Sequence, residues 1–207
     1  MNRLGVWSAS ALFIVGVVYL AVVAVGMRAS GFYAPIVDPV LAVMEALTLL
    51  SAPLLVLLMT AIHRSAATAD KAAATVALAF VVLAAGLTSA VHFVGLTALR
   101  QSGSGQLVWP STQYAVELLA WDVFLGLSLL FAAVTFHGRK LRRAIRLSGI
   151  TTGTLCLVGT LGPVTGEMRL QFIAVIGYGI GLPVTCFLLM LFFRRTPAGF
   201  TAEAQRR

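Results

Sequence analysis

Six apolar runs of roughly 20 residues each, joined by short connections that hold most of the charge, constrain this chain more than any other feature. A run of that length crosses a hydrocarbon core of ~30 Å as an α-helix, which satisfies its backbone hydrogen bonds within the segment. The runs lie at roughly 6–26, 40–62, 72–98, 113–136, 145–165 and 170–193. With 59% of the 207 residues hydrophobic and 11% charged, little chain is left for a soluble domain. The predicted fold is therefore all-α: one polytopic integral membrane bundle of six transmembrane helices, a single domain over residues 1–207, with the lipid bilayer as its first partner. Arg3 before an apolar run, with small residues at Ala24 and Gly26, imitates a secretory signal. The run exceeds the ~7–15 residues of a signal core, so it is read as a retained helix. The sequence carries no lipidation box, and neither tail is expected to fold alone.

A formal net charge of +8 raises the question of nucleic acid, but the basic residues do not cover a polar surface that could follow a phosphate backbone. They sort by connection instead. Twelve of the 15 Lys and Arg residues fall on one side: Arg3, Arg64, Lys71, the Arg139–Arg146 cluster, and Arg194, Arg195, Arg206 and Arg207. Arg28, Arg100 and Arg169 fall on the other. This asymmetry over short loops predicts a cell-membrane protein with both termini cytoplasmic. The Arg139–Arg146 cluster reads first as a topology anchor, and alternatively as an anionic-lipid site gaining ~1 kcal/mol per charge. His63 and His137, near the cytoplasmic ends, read as interfacial residues, as do Phe32, Tyr33 and Trp109 on the other side.

Four ionisable residues break the apolar pattern. Glu45, His92, Glu117 and Asp122 lie inside predicted spans, where a charged side chain is costly and marks a candidate functional site. Glu45, His92 and Glu117 are each about two turns from the outer ends of their helices, and Asp122 is near the midplane. Thr88 and Ser89 share a helix face with His92, and Gln113, Glu117 and Trp121 form a second stripe. Gln171 and Tyr178, seven apart, supply a further polar wall. Glu117 and Asp122, five apart, point in different directions on a regular helix, so a shared ligand does not follow from spacing alone. Asp122 needs a proton, a ligand or a cationic partner such as Arg100 or Arg169 to offset its desolvation, unless a structural hydrogen bond between helices holds it.

Other features read as packing. Gly149-x-x-x-Gly153 and Gly162-x-x-x-Gly166, with Gly177, Gly179 and Gly181, predict close approach of the fifth and sixth spans. Such faces also serve contacts between chains, so they do not fix the oligomeric state. Pro53, Pro163 and Pro183 predict kinks. Cys156 and Cys186 differ in depth by ~7 Å, which argues against a disulfide. The second and fourth spans resemble one another around Glu45 and Glu117, the pattern of a duplicated hairpin or of chance between apolar helices. The loop from Arg100 to Ser111 reads as a pocket cover or an ordinary connector.

No H-E-x-x-H or E-x-x-H spacing supports a metal site, three histidines on opposite sides do not suit haem, and no nucleotide-binding motif is present. The expected function is binding and translocation of a small molecule or an ion, with Glu45, Glu117 and Asp122 attracting a cation or proton and His92 modulating the site's charge. An alternative is an intramembrane enzyme using carboxylate and imidazole acid–base chemistry on a lipid or isoprenoid-like substrate. A structural or interaction role, with polar residues only holding helices together, is the third reading.

Overall fold

The computed structural model describes residues 2–31, 34–102, 108–138 and 140–195. Phe32, Tyr33, Gly103, Ser104, Gly105, Arg139, Arg206 and Arg207, which figured in the sequence reading, lie outside the described residues. All regular structure among the described residues is helical. Six helices are long and apolar enough to cross a membrane: α1 (Arg3–Ser30), α2 (Val40–Ser65), α3 (Thr68–Leu99), α4 (Thr112–Ala133), α5 (Leu141–Thr165) and α6 (Phe172–Arg195).

Each helix packs against its neighbours in sequence, and α6 returns to pack along α1, so the six close into a ring. The end that carries the start of α1 and the close of α6 is termed proximal, and the opposite end distal. Outward faces carry exposed Trp7, Ile14, Leu50, Val82, Phe93 and Ile180. An apolar exterior of this extent needs an apolar surrounding to avoid aggregation.

The fourth helix stops at Ala133 rather than near residue 136. There Thr135 turns its hydroxyl back onto the Ala132 carbonyl at 2.8 Å, and the chain tightens into i→i+3 bonds at Thr135 and Phe136. A hydroxyl that competes for the backbone in this way favours helix termination over continuation.

The interior divides by depth. Leu55, Leu58, Ile62, Val81, Leu129 and Phe193 belong to one buried apolar cluster in the proximal half. Buried Glu45, His92, Asp122 and Gln171 lie distal to it. Hydroxyls tie helices together: Ser128 donates to the Ala77 carbonyl at 2.7 Å, and Thr185 meets Ser148 at 2.7 Å and Thr152 at 3.5 Å.

Glycines set how closely the late helices approach. Gly159 faces Ala174 and Gly162 faces Gln171, so α5 and α6 pack backbone to backbone as the sequence predicts. Gly149 and Gly153 instead face Ala133, Gly126 and Leu130 of α4, so this small-residue pair serves α4 rather than α6. Pro163 lies in the short segment after α5 is interrupted at Thr160, whereas α2 runs through Pro53 without a break.

A methyl group at position 159 would overlap the Ala174 backbone, while at Gly86 it would meet nothing within 4 Å. Gly159→Ala is therefore expected to destabilise the bundle by about 1–3 kcal/mol, and Gly86→Ala by less than about 0.5 kcal/mol. Thermal unfolding in detergent checks the pair, and equal melting temperatures would contradict the packing described.

Candidate functional site

The distal half holds two connected polar clusters. The first joins α2, α3 and the α1–α2 connection through Arg100, which directly follows α3. Arg100 Nη1 donates to Glu45 Oε2 at 2.5 Å and to the Gly95 carbonyl at 3.0 Å. Its Nε and Nη2 donate to the two carboxylate oxygens of Asp38 at 3.1 and 2.7 Å. The guanidinium fork thus straps the α1–α2 connection to the end of α3 while neutralising a buried glutamate. Gly95 is required there because any side chain would occupy the space of the Glu45 carboxylate. Gln113 of α4 closes the cluster by donating from Nε2 to the Val91 carbonyl at 2.9 Å.

The second cluster lies deeper. His92 Nε2 and Glu117 Oε1 meet at 2.8 Å across α3 and α4, with the His92 side chain 4% and the Glu117 side chain 12% exposed. Thr88 is buried one turn before His92 on α3. Beyond Glu117, Trp121 packs edge-on against Tyr178 of α6 with ring centroids 5.5 Å apart. Gln171 Nε2 donates to Tyr178 Oη at 3.2 Å. Asp122 has 0% exposure, and neither of its carboxylate oxygens has a hydrogen-bond partner. The Gln171 amide lies beside it as the neighbouring donor, just outside the geometry of a formed hydrogen bond.

Unpaired buried polar atoms are rare in native structures and call for an explanation. Of six such side-chain atoms among the described residues, five fall in this cluster: His92 Nδ1, Glu117 Oε2, Trp121 Nε1, and both Asp122 oxygens. Tyr19 of α1 and Tyr114 of α4 lie in electrostatic range of Glu117, which brings a further helix to the chamber.

Three helices change their winding around it. Gly95–Leu99 in α3, Leu119–Leu125 in α4 and Gly177–Gly181 in α6 form π turns with i→i+5 bonding. Single π turns inside α-helices occur frequently at functional sites. The α4 turn alters the regular spacing from which the directions of Glu117 and Asp122 are read. In a π turn residues five apart stack along the axis, so the angle between Glu117 and Asp122 narrows, and the two carboxylates act on one another electrostatically. Pro183 follows the α6 turn by two residues and lacks the N–H that would continue regular bonding.

All nine residues singled out from the sequence as pocket candidates sit in the distal half, but they divide. Glu45 and Gln113 belong to the Arg100 cluster, and His92, Thr88, Glu117, Trp121, Asp122, Gln171 and Tyr178 to the deeper one. Neither proposed cationic partner reaches Asp122: Arg100 is committed to Asp38 and Glu45, and Arg169 is exposed beside Glu167 at 3.9 Å. This asymmetry also breaks the resemblance between the second and fourth spans. Glu45 pairs with an arginine, whereas Glu117 pairs with a histidine. At the proximal end His63 meets Thr75 at 3.2 Å and His137 meets Asp70 at 3.0 Å. Cys156 and Cys186 are free and buried. Among the described residues no group of three or more His, Cys, Asp and Glu side chains could hold a metal ion.

Sequence reasoning named Arg100 as a partner for Asp122 but missed its pairing with Glu45, and missed Asp38, Gly95, Tyr19 and Tyr114 as site residues. A usable signal for Arg100 was its place one residue past α3, within reach of a glutamate two turns inside the antiparallel α2.

The Arg100 guanidinium, through hydrogen bonds first and then its charge, holds the Asp38 carboxyl below its ordinary value of 3.8, against a smaller opposing effect of desolvation. A carboxylate with a depressed value stabilises the fold above its unfolded value and loses that contribution as pH falls through the depressed one. Asp38→Asn is therefore expected to lower the melting temperature at pH 6, with the difference from wild type shrinking as pH falls below about 4. A difference independent of pH between 6 and 3 would contradict the strap.

No family model matches this sequence, and no curated protein or solved structure shows significant similarity to it.

Proposed function

We propose that this chain is a multi-pass protein of the cell membrane, with both termini cytoplasmic, that binds a cation in a polar chamber reached from the outer side and passes it inward, and that the cation is a proton. Six apolar helices, their apolar outward faces and the sorting of basic residues to the proximal connections support the placement.

The observation that carries the functional reading is Asp122. Asp122 is fully buried, no cationic side chain pairs with it among the described residues, and the Gln171 amide beside it is neutral, so its charge needs compensation, and a proton is the one cation that requires no cavity of its own. Glu117 and His92, in contact with each other and placed distal to Asp122, form the stepping groups toward the outer face. Imidazole suits this role because one ring nitrogen can take a proton while the other releases one. The apolar proximal half closes the inward route, which supports alternating access over an open pore.

Purified protein in liposomes carrying an internal pH dye tests the proposal. Wild type is expected to acidify the lumen under an imposed proton gradient or potential, and Glu117→Gln to slow this by at least about 10-fold. Wild-type liposomes no leakier than empty ones would contradict it.

A second reading rests on an apolar groove of about 690 Å³ between α2 and α3, lined by Ala46, Leu49, Pro53, Val82, Gly86 and Ser89. Its lining residue Ala46 follows Glu45 and its lining residue Ser89 precedes His92 by one turn in the chain, which favours acid–base chemistry on a lipid or isoprenoid-like chain if those side chains turn toward it. Gly86→Trp fills this groove. Loss of binding of a long-chain isoprenoid alcohol with proton movement intact favours the enzyme reading, and the reverse favours translocation. Neither activity in wild type leaves the structural role.

A further inference from the structure

The α4–α5 turn at the proximal end encloses a cavity of about 310 Å³ lined by Phe136, His137, Gly138, Arg143, Arg146 and Leu147. Gly138 adopts φ 117°, a conformation that other residues rarely take, and this turn brings the end of α4 over the first turns of α5. Arg143 and Arg146, three apart on α5, present two guanidinium groups to the same side. His137 also lines it, with its Nε2 held by Asp70.

The charge at this end is unbalanced. Asp70 is the one carboxylate there among the described residues, and it is engaged by His137 at 3.0 Å. Arg142 lies over the Phe192 ring at 5.0 Å and so points to α6 rather than the cavity. No ion pair forms at Arg143 or Arg146 among the described residues, although together they line a concave space. An orientation signal requires only basic residues in the connection; it does not require two of them to flank a cavity of about 310 Å³.

We propose that this cavity is a binding site for a phosphate group, carried by an anionic lipid headgroup or free in solution. Arginine forks match phosphate oxygens in pairs, and two guanidinium groups supply enough hydrogens to cover them. The site is separate from the Asp122 chamber, at the other end of the bundle, so the two proposals stand independently.

Native mass spectrometry of the full chain released from micelles doped with phosphatidylglycerol or phosphatidylcholine tests the site. Inorganic phosphate serves as competitor. Wild type is expected to retain phosphatidylglycerol in preference to phosphatidylcholine, and Arg143→Gln/Arg146→Gln to weaken retention about 30-fold. Arg64→Gln/Arg194→Gln removes the same net charge at the same end, outside the cavity, and is expected to cost less than about 3-fold. Displacement of the lipid by millimolar phosphate identifies free phosphate as a competent ligand, and resistance to it assigns the site to the headgroup. Both outcomes support the phosphate site. Equal losses in the two double variants, or no preference between the lipids in wild type, would overturn it. All four positions are exposed, and unchanged melting temperatures verify that each variant folds.

Discussion

Arg100→Gln is expected to destabilise the bundle by about 3–5 kcal/mol, because it leaves Glu45 buried without its charge partner. Glu45 is 3% exposed, and its Oε2 accepts from Arg100 at 2.5 Å. The converse change is expected to be milder. In Glu45→Gln, Arg100 keeps Asp38 and the Gly95 carbonyl, and its side chain reaches solvent. The double variant Arg100→Gln/Glu45→Gln is expected to recover most of the loss, since two neutral amides replace an unpaired charge. A double-mutant cycle of melting temperatures therefore reads a coupling of at least about 1.5 kcal/mol between positions 55 residues apart in sequence. Simple additivity would mean that the strap contributes nothing specific.

Asp122→Asn has the opposite signature. The amide keeps the shape of the carboxyl and removes the group that needs a compensating charge, so the fold is expected to hold within about 1 kcal/mol of wild type. Proton movement is expected to fall about 100-fold or more, the range associated with loss of a positioned proton-transfer group. Stability retained with function lost separates a working carboxyl from a structural one. If Asp122 only joined helices, the same change would lower the melting temperature and leave any proton flux proportionate to folded protein.

The contrast between these two acids shows where sequence reasoning reaches and where it stops. Hydropathy alone places six long helices, because apolar runs of span length leave few other folds. Depth counting brings Glu45, His92 and Glu117 to one end, because helical rise converts residue number into height. It does not reveal which partner each finds. Arg100 reads as a loop residue until the end of α3 curls through a π turn and its fork reaches both Asp38 and Glu45.

The angular relation of Glu117 and Asp122 was illegible for a related reason. A regular helix separates them widely in angle, and the π turn over Leu119–Leu125 narrows that angle. Such a turn depends on packing against neighbouring helices, which local sequence does not encode. Gly149 and Gly153 make the same point in packing: their spacing announces a close approach, but only the assembled bundle shows that the partner is α4. The cavity beside Arg143 and Arg146 likewise depends on how Gly138 turns the chain, beyond what the charge cluster alone conveys.

Asp122 is expected to take up and release a proton as the protein works. Infrared difference spectroscopy of the protein in a lipid bilayer, recorded across a pH step applied from the outer side, tests it most directly. A carboxyl C=O stretching band is expected to appear and disappear in wild type, to shift on exchange into heavy water, and to be missing in Asp122→Asn. The same band persisting unchanged in Asp122→Asn would contradict it.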